Sequence, residues 1–429
     1  MRSVRNQKVI QHLFSYVCLI LIVILSGCSG LPKETAPRID VGKYVVAIPV
    51  YDAAKVPRDR SYVVFIDAQG KTQSLPIKTM FYNQPVWTES GIQFVDDTAN
   101  YFLSFDNSTV QATPYKKTDF QYGSTYYDKS TMVSILNRGS DAEEEDGVIA
   151  VSRVDGHYAE SSYSTADAHA LNNLATCNGN TYTIDLSRDI ENPQLVVSLI
   201  YDGKHPQYRV LSKVRPQTQL FDVQLQQLFE NSPKVTNETN IGTAFCVNGK
   251  LAAFVTVSAS AVQDRVSNVM LFEWDPQTKE SSFIPLKDYN LRDKYLMTTQ
   301  ETEWSTFSSD ESASFGDSVL LMSAVTGRII SVNTQTGETC QFSTPLVKYN
   351  AQYETNFYGR LVLRTTQKCV YAIVLNENDS TGKTSFINVY DRSSGKHIHT
   401  IPIRREIARM VYDTSFKFGY PAVNPRYIW

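Results

Sequence analysis

The side chains in this sequence best able to ligate a metal, attack a carbonyl or move a proton are six histidines, six cysteines and 44 carboxylates. His397 and His399 stand two apart, so on a strand both rings would point to one face, which is how a metal site begins. No acid or cysteine stands nearby at ligand spacing, and the pair reads as a surface strand; His157, His169 and His205 are scattered. Cys177, Cys246, Cys340 and Cys369 are widely separated and match no metal or redox pattern. They read mainly as small buried hydrophobes, with room for one or two bridges whose pairing the spacing does not fix. Asp141, Glu143, Glu144, Glu145 and Asp146 make an acidic run. It lacks the alternating ligands and central glycine of a calcium loop, and reads as a solvated loop or as a site for a cation or a basic partner. There is no G-x-S-x-G, no H-E-x-x-H and no dinucleotide fingerprint, and nothing calls for a cofactor.

One cysteine differs from the rest. Arg2, Arg5 and Lys8 form a positive start, and Leu13 to Leu25 is an apolar run too short to span a bilayer comfortably. Such a run reads as the core of a secretory signal. It ends in Leu25-Ser26-Gly27-Cys28, which resembles the lipobox of bacterial lipoproteins. That resemblance implies diacylation of the Cys28 thiol, cleavage before it and acylation of the new amino terminus. Two or more acyl chains hold a protein stably at a membrane, so the expected location is the cell envelope, lipid-anchored on the extracytoplasmic side. Ser29, rather than Asp, follows the cysteine; in a host with two membranes this resembles an outer-membrane sorting signal. Residues 28–429 then carry a formal charge of −6, and a mildly acidic body argues against nucleic acid as a partner.

From Tyr44 onward, short runs of Val, Ile, Tyr, Phe and Thr alternate with Asn, Asp, Gly and Ser turns, which is the pattern of strands and hairpins. One unit recurs seven times: an apolar strand, an acidic or amide turn residue, a few polar residues and a second strand. The turns centre on Asp67, Asp106, Asp155, Asp202, Asp275, Asn333 and Asp391, at a mean spacing of 54 residues. An Asp or Asn accepts hydrogen bonds from its own turn and a nearby Gly supplies a positive φ. With one or two further strand-like runs between copies, each unit holds about four strands, one blade of a β-propeller. The copies, VYDRSSGKHIHTIPI most of all, resemble the outer hairpins of WD-, YVTN- and quinoprotein-type blades, without the full glycine-histidine and Trp-Asp signature.

The expected architecture is all-β: a signal peptide over 1–27, a tether over 28–43 and a single seven-bladed propeller over 44–429, with a pair of β-sandwiches as the structural alternative. One short helix is expected in a blade-to-blade connection at Phe221 to Asn231, where Phe221, Leu225, Leu228 and Phe229 share a helical face. Blade one is short, and the spare run Ala408 to Asp413 is expected to complete it, leaving no open edge.

Gly316-Asp317-Ser318-Val319 superficially resembles the serine block of GDSL-type esterases but opens a strand late in a β-rich chain. Thr381-Gly382-Lys383-Thr384 is similar to the end of a phosphate-binding loop, yet Glu377 stands where that motif needs glycine. Neither match carries a function. Binding surface is instead expected among the long connections at one end of the propeller. There the acidic run joins Tyr82, Tyr122, Tyr126, Tyr127, Tyr289, Tyr295, Tyr349, Tyr353 and Tyr358, taken as connection residues. Tyrosine pairs a large rigid face with a hydroxyl, which suits protein or sugar contacts and equally suits packing between blades. The leading expectation is a non-catalytic scaffold for another envelope protein. The alternatives are a carbohydrate-binding surface protein or, less favoured, a propeller hydrolase or quinoprotein-like enzyme. Cys28→Ser should release the protein from the membrane fraction; a variant still sedimenting with membranes would refute the lipid anchor.

Overall fold

The computed structural model describes residues 38–53, 61–78, 83–115, 120–137, 146–164, 173–187, 189, 193–216, 236–260, 265–287, 314–315, 317–322, 329–343, 359–412 and 416–429. Within the unit Ile39–Trp429, the strands form seven antiparallel sheets, the blades of a propeller. From innermost to outermost strand, blade one is Phe416–Phe418, Val46–Asp52, Ser61–Ile66 and Thr72–Ile77. Blade two is Val86–Trp87, Gly91–Val95, Ala99–Ser104 and Val110–Pro114; blade three is Phe120–Asp128, Thr131–Asn137, Asp146–Arg153 and Tyr158–Ser164. Blade four is Leu174–Cys177, Asn180–Leu186, Leu195–Tyr201 and Pro206–Val214. In blade five, Thr236–Ile241 and Phe245–Val247 both pair with Lys250–Ser260, followed by Arg265–Trp274 and Ser281–Pro285. Blade six is Ser314–Phe315, Ser318–Met322, Ile329–Asn333 and Thr339–Ser343; blade seven is Gly359–Thr365, Cys369–Asn376, Phe386–Asp391 and His397–Pro402.

The inner strands are apolar almost continuously because each blade is covered on both sides. In the second strand of blade seven, Cys369, Tyr371, Ile373 and Leu375 pack with blade one, while Val370, Ala372 and Val374 pack with blades five and six. This is the two-residue period of a strand with both of its faces in a core. Blade five repeats it: Leu251, Ala253 and Val255 join blade four, and Ala252 and Phe254 join blade six. Further apolar clusters fill the spaces between blades one and two, two and three, and three and four. The outermost strands keep only partial cover, as in Val110–Pro114 and His397–Pro402.

The recurring turn residues do what their chemistry predicts. Asp67 Oδ1 accepts the N–H of Gln69 at 2.9 Å and of Lys71 at 2.8 Å. Asp202 accepts from Lys204 and His205, Asp275 from Gln277 and Thr278, and Asn333 from Gln335 and Thr336. In blade two the cap is Asn107, one residue beyond the expected Asp106, accepting from Thr109 at 3.0 Å. The turn glycines have a second duty. A Cβ at Gly70 would lie 2.7 Å from the Pro402 carbonyl, and Cβ atoms at Gly337 and Gly395 would strike the carbonyls of Pro285 and Phe342. Each of these three turns therefore rests directly on the outermost strand of the preceding blade. In blade five Lys279 takes the left-handed position, at φ 66°.

Closure comes from the C-terminus, but not from the expected residues. Residues 408–412 of that run fall in a helix, Arg405–Tyr412, which buries Ile407, Ala408 and Val411, and Asp413 lies outside the described residues. The strand expectation fails because those three apolar residues line one side of a helix rather than alternating. The closing strand is Phe416–Phe418, paired with Val50, Tyr51 and Asp52, and Ala422–Val423 adds a second contact to Val46 and Ala47. Glu377 clamps the closure: its carboxylate accepts the Phe418 N–H at 2.9 Å and pairs with Lys417 Nζ at 2.9 Å. The body also takes up the chain before Tyr44, since Ile39 and Val41 are fully buried. The helix expected at Phe221 to Asn231 lies outside the described residues.

Gly395→Ala should cost roughly 2–4 kcal/mol, combining a left-handed alanine with a blocked contact between blades. Gly156→Ala, at φ 86° and with only the Thr113 hydroxyl near the new Cβ, at an ordinary 3.8 Å, should cost only about 1–2 kcal/mol. Urea unfolding midpoints compare the two, and equal losses would refute the double duty of the glycine.

Candidate functional site at the two ends of the propeller

The end carrying the inner turns, between innermost and second strands, is sewn together blade by blade. The Lys129 ammonium pairs with Glu89, joining blades three and two. Tyr127 donates from its hydroxyl to the Gly179 carbonyl at 2.9 Å, and Asn178 Nδ2 donates to the Gly249 carbonyl at 2.8 Å. Asn248 Nδ2 reaches Asp317 Oδ1 and Thr334 Oγ1, each at 3.5 Å. Asn178 and Asn248 both sit at φ 50°, a left-handed position that asparagine tolerates better than most residues, and each precedes a glycine. Beside them a disulfide joins Cys177 to Cys246, across blades four and five. Those two cysteines are therefore bridged rather than free small hydrophobes, while Cys369 is buried and Cys340 exposed. Polar groups at this end are spent on neighbouring blades.

The opposite end carries the turns from second to third strand and the blade-to-blade connections. Two of its described acids are also committed. Asp96 is fully buried in the blade-two turn. It accepts the N–H groups of Thr98 and Ala99 at 2.8 and 2.9 Å, and the Tyr101 hydroxyl at 2.6 Å. Burial, and then the bond to Asp96, push the Tyr101 phenol above its ordinary range. In blade seven, Asp379 accepts from the N–H and hydroxyl of both Thr381 and Thr384, at 2.6–2.8 Å. The segment that looked like part of a phosphate loop thus wraps a carboxylate. Burial acts to raise that carboxyl, but the four donors outweigh it and hold it at about 2. Between blades two and three, the Gln84 N–H donates to Gln121 Oε1 at 2.7 Å, and the Ser124 N–H donates to Gln84 Oε1 at 3.0 Å.

Of the tyrosines expected in connections, Tyr122, Tyr126 and Tyr127 lie instead in the innermost strand of blade three, Phe120–Asp128, half-buried between blades. Tyr122 accepts from Asn137 Nδ2 at 2.6 Å, and the Tyr127 ring stands edge-on to Tyr201 at 4.8 Å. Tyr82, Tyr289, Tyr295, Tyr349 and Tyr353 lie outside the described residues, as do Asp141, Glu143 and Glu145 of the acidic run and Leu25, Ser26, Gly27 and Cys28. His397 and His399 do not converge. A register shift in their strand sends His397 to Thr400 and the Tyr390 ring, and His399 to the Ala68 carbonyl and the Trp429 ring. Among the described residues no group of three His, Cys, Asp or Glu could hold a metal ion, and no helix is long and apolar enough to cross a membrane. Ser318 begins an antiparallel strand paired to Asn333, which is not the exposed turn of an esterase nucleophile. The sequence left room for such a bridge without fixing its pairing, and an Asn-Gly turn shortly after each of the two cysteines is the one feature they share.

No protein-family model matches the chain, and no curated protein matches it in sequence. Solved structures similar to it include Citrobacter koseri AztD, at 11% identity and TM-score 0.41, covering 90% of this chain and 100% of that one. The Nup133 β-propeller domain of Vanderwaltozyma polyspora is similar at 10% identity and TM-score 0.43, covering 81% of this chain and 91% of that one. Porphyromonas gingivalis dipeptidyl peptidase 4 is similar at 10% identity and TM-score 0.40, over 85% of this chain and 52% of that one.

Asp379 has a depressed carboxyl, so its bonds to Thr381 and Thr384 stabilise the fold above the ordinary aspartate range near pH 4. That contribution should fade as pH falls from about 4 towards 2. Asp379→Asn should accordingly lower the melting temperature at pH 7 and make little difference near pH 2; an equal difference at both would refute this role.

Proposed function

We propose that the protein is a lipid-anchored, extracytoplasmic lipoprotein whose propeller serves as a non-catalytic scaffold for another envelope protein. The observation that carries this reading is the contrast between the two ends. The chain enters the propeller at Ile39, whose N–H donates to the Ser108 carbonyl in the outer turn of blade two at 3.0 Å. Entry is therefore on the side of the short turns, which are bound to one another. The outermost strands of blades four, five and six run towards the other end and finish there at Val214, Pro285 and Ser343, where the long connections begin. The sewn end is spent on structure, which leaves the long-connection end for a partner. Rigid sheets presenting variable loops suit that task. Asp96, Asp379 and Glu377 support the same reading, since each carboxylate is bound within the fold.

Tagged full-length protein, captured from membranes in mild detergent and analysed by mass spectrometry, should bring down one envelope protein at near-stoichiometric yield. A solitary protein that instead binds a glycan array would overturn the scaffold reading in favour of a sugar-binding surface.

A further inference from the structure

The helix Arg405–Tyr412 sits in the connection from the outermost strand of blade seven to the closing strand of blade one. It packs Ile407, Ala408 and Val411 inward and leaves Arg405, Glu406, Arg409 and Tyr412 exposed. Arg405 and Arg409 are one turn apart, so their side chains share one side of the helix. The loop bearing Lys383 lies against its start: a Cβ at Gly382 would be 3.4 Å from the Arg405 Cα. Lys383 is also exposed. Lys383, Arg405 and Arg409 thus stand exposed in one part of the fold, near Glu406 and the internally bonded Asp379.

Two further observations mark this place. The charge of the chain is divided along its length. Residues 359–429 hold 11 Lys and Arg against 5 Asp and Glu, whereas residues 28–358 hold 27 against 39. A body that is acidic overall therefore carries one basic sector, formed by blade seven and the closing segment. Tyr412 is also 52% exposed, one of three large hydrophobic side chains so exposed among the described residues. Arginine and tyrosine side by side are the residue types that dominate binding at protein interfaces. The helix belongs to the end opposite the entry of the chain at Ile39.

We propose that Arg405, Arg409 and Tyr412, with Lys383 beside them, are the docking surface for an acidic face of the partner protein. This rests on the scaffold reading and names the surface it would use. Carboxylates on the partner would pair with the two guanidinium groups at the rim, steering association, while the Tyr412 ring supplies the desolvated contact at the centre. The exposed tyrosine ring set beside the arginines favours a protein surface over lipid headgroups.

The test compares full-length lipidated wild type with Arg405→Glu/Arg409→Glu in the same detergent capture, together with Lys204→Glu as a charge-reversal control in the outer turn of blade four. Both arginines are exposed, so the double variant should melt close to wild type. Recovery of the partner should fall about tenfold or more in the double variant, stay unchanged in Lys204→Glu, and decline for wild type as salt screens the pairing. If wild type captures no stoichiometric protein, the scaffold reading itself fails. If wild type and the double variant capture the same protein equally, the scaffold stands and this docking surface is refuted. Loss of co-purifying anionic lipid from the double variant, with the protein partner retained, would assign the basic sector to the membrane and equally overturn the proposal.

Discussion

Burial of both faces of each sheet is the constraint on which this molecule depends. A blade such as the fifth, with Leu251 and Val255 turned one way and Ala252 and Phe254 the other, has no face to offer to water. It gains stability only between two neighbours. Seven such sheets satisfy one another only if the last meets the first, which they do through Tyr371, Ile373, Val64 and Ile66 in a shared core. The short strand Phe416–Phe418 matters out of proportion to its length because it covers the edge of Val46–Asp52. Glu377, held almost fully buried against Lys417, supplies polar satisfaction where the closing segment meets blade seven.

Turn chemistry follows from the same constraint. Blades that pack tightly bring their hairpins within van der Waals reach, and glycine is selected at Gly70, Gly337 and Gly395 for lack of a side chain as well as for backbone freedom. The inner turns add specific hydrogen bonds from Asn178 and Asn248 and a covalent link at Cys177–Cys246. One end thereby becomes structural in purpose. The other end, where connections vary in length, is where recognition can be placed without disturbing the ring.

Much of this was legible in the sequence. The seven turn residues mark the outer hairpin of each blade because an Asx turn leaves a local signature of Asp or Asn followed by small polar residues and, in most copies, Gly. What was not legible is non-local. Ala408, Met410 and Val411 fit a strand or a helix over so short a stretch, and only the packing of Ile407 and Val411 against blades seven and one decides for the helix. Phe416–Phe418 is too short to announce itself. Tyr122, Tyr126 and Tyr127 alternate with small residues and read as a polar connection, whereas the neighbouring blades turn them into interior packing. The pairing of Cys177 with Cys246 spans 69 residues and requires knowing that blades four and five are adjacent at their inner edges. The basic helix escaped notice because its importance lies in what surrounds it.

The placement of the closing strand has a consequence for how the protein is made. The partner of Asp52 in this pairing, Phe416, is 364 residues further along the chain, so a growing polypeptide carries blade one unfinished until Phe416–Phe418 is made. During that interval the outer face of blade seven and the exposed edge of blade one are both unsatisfied, and both are adhesive. A chain truncated before Phe416 would never leave this state. Pairing across the ring thus makes the last strand to be synthesised in this fold the one that hides the edge left by the first.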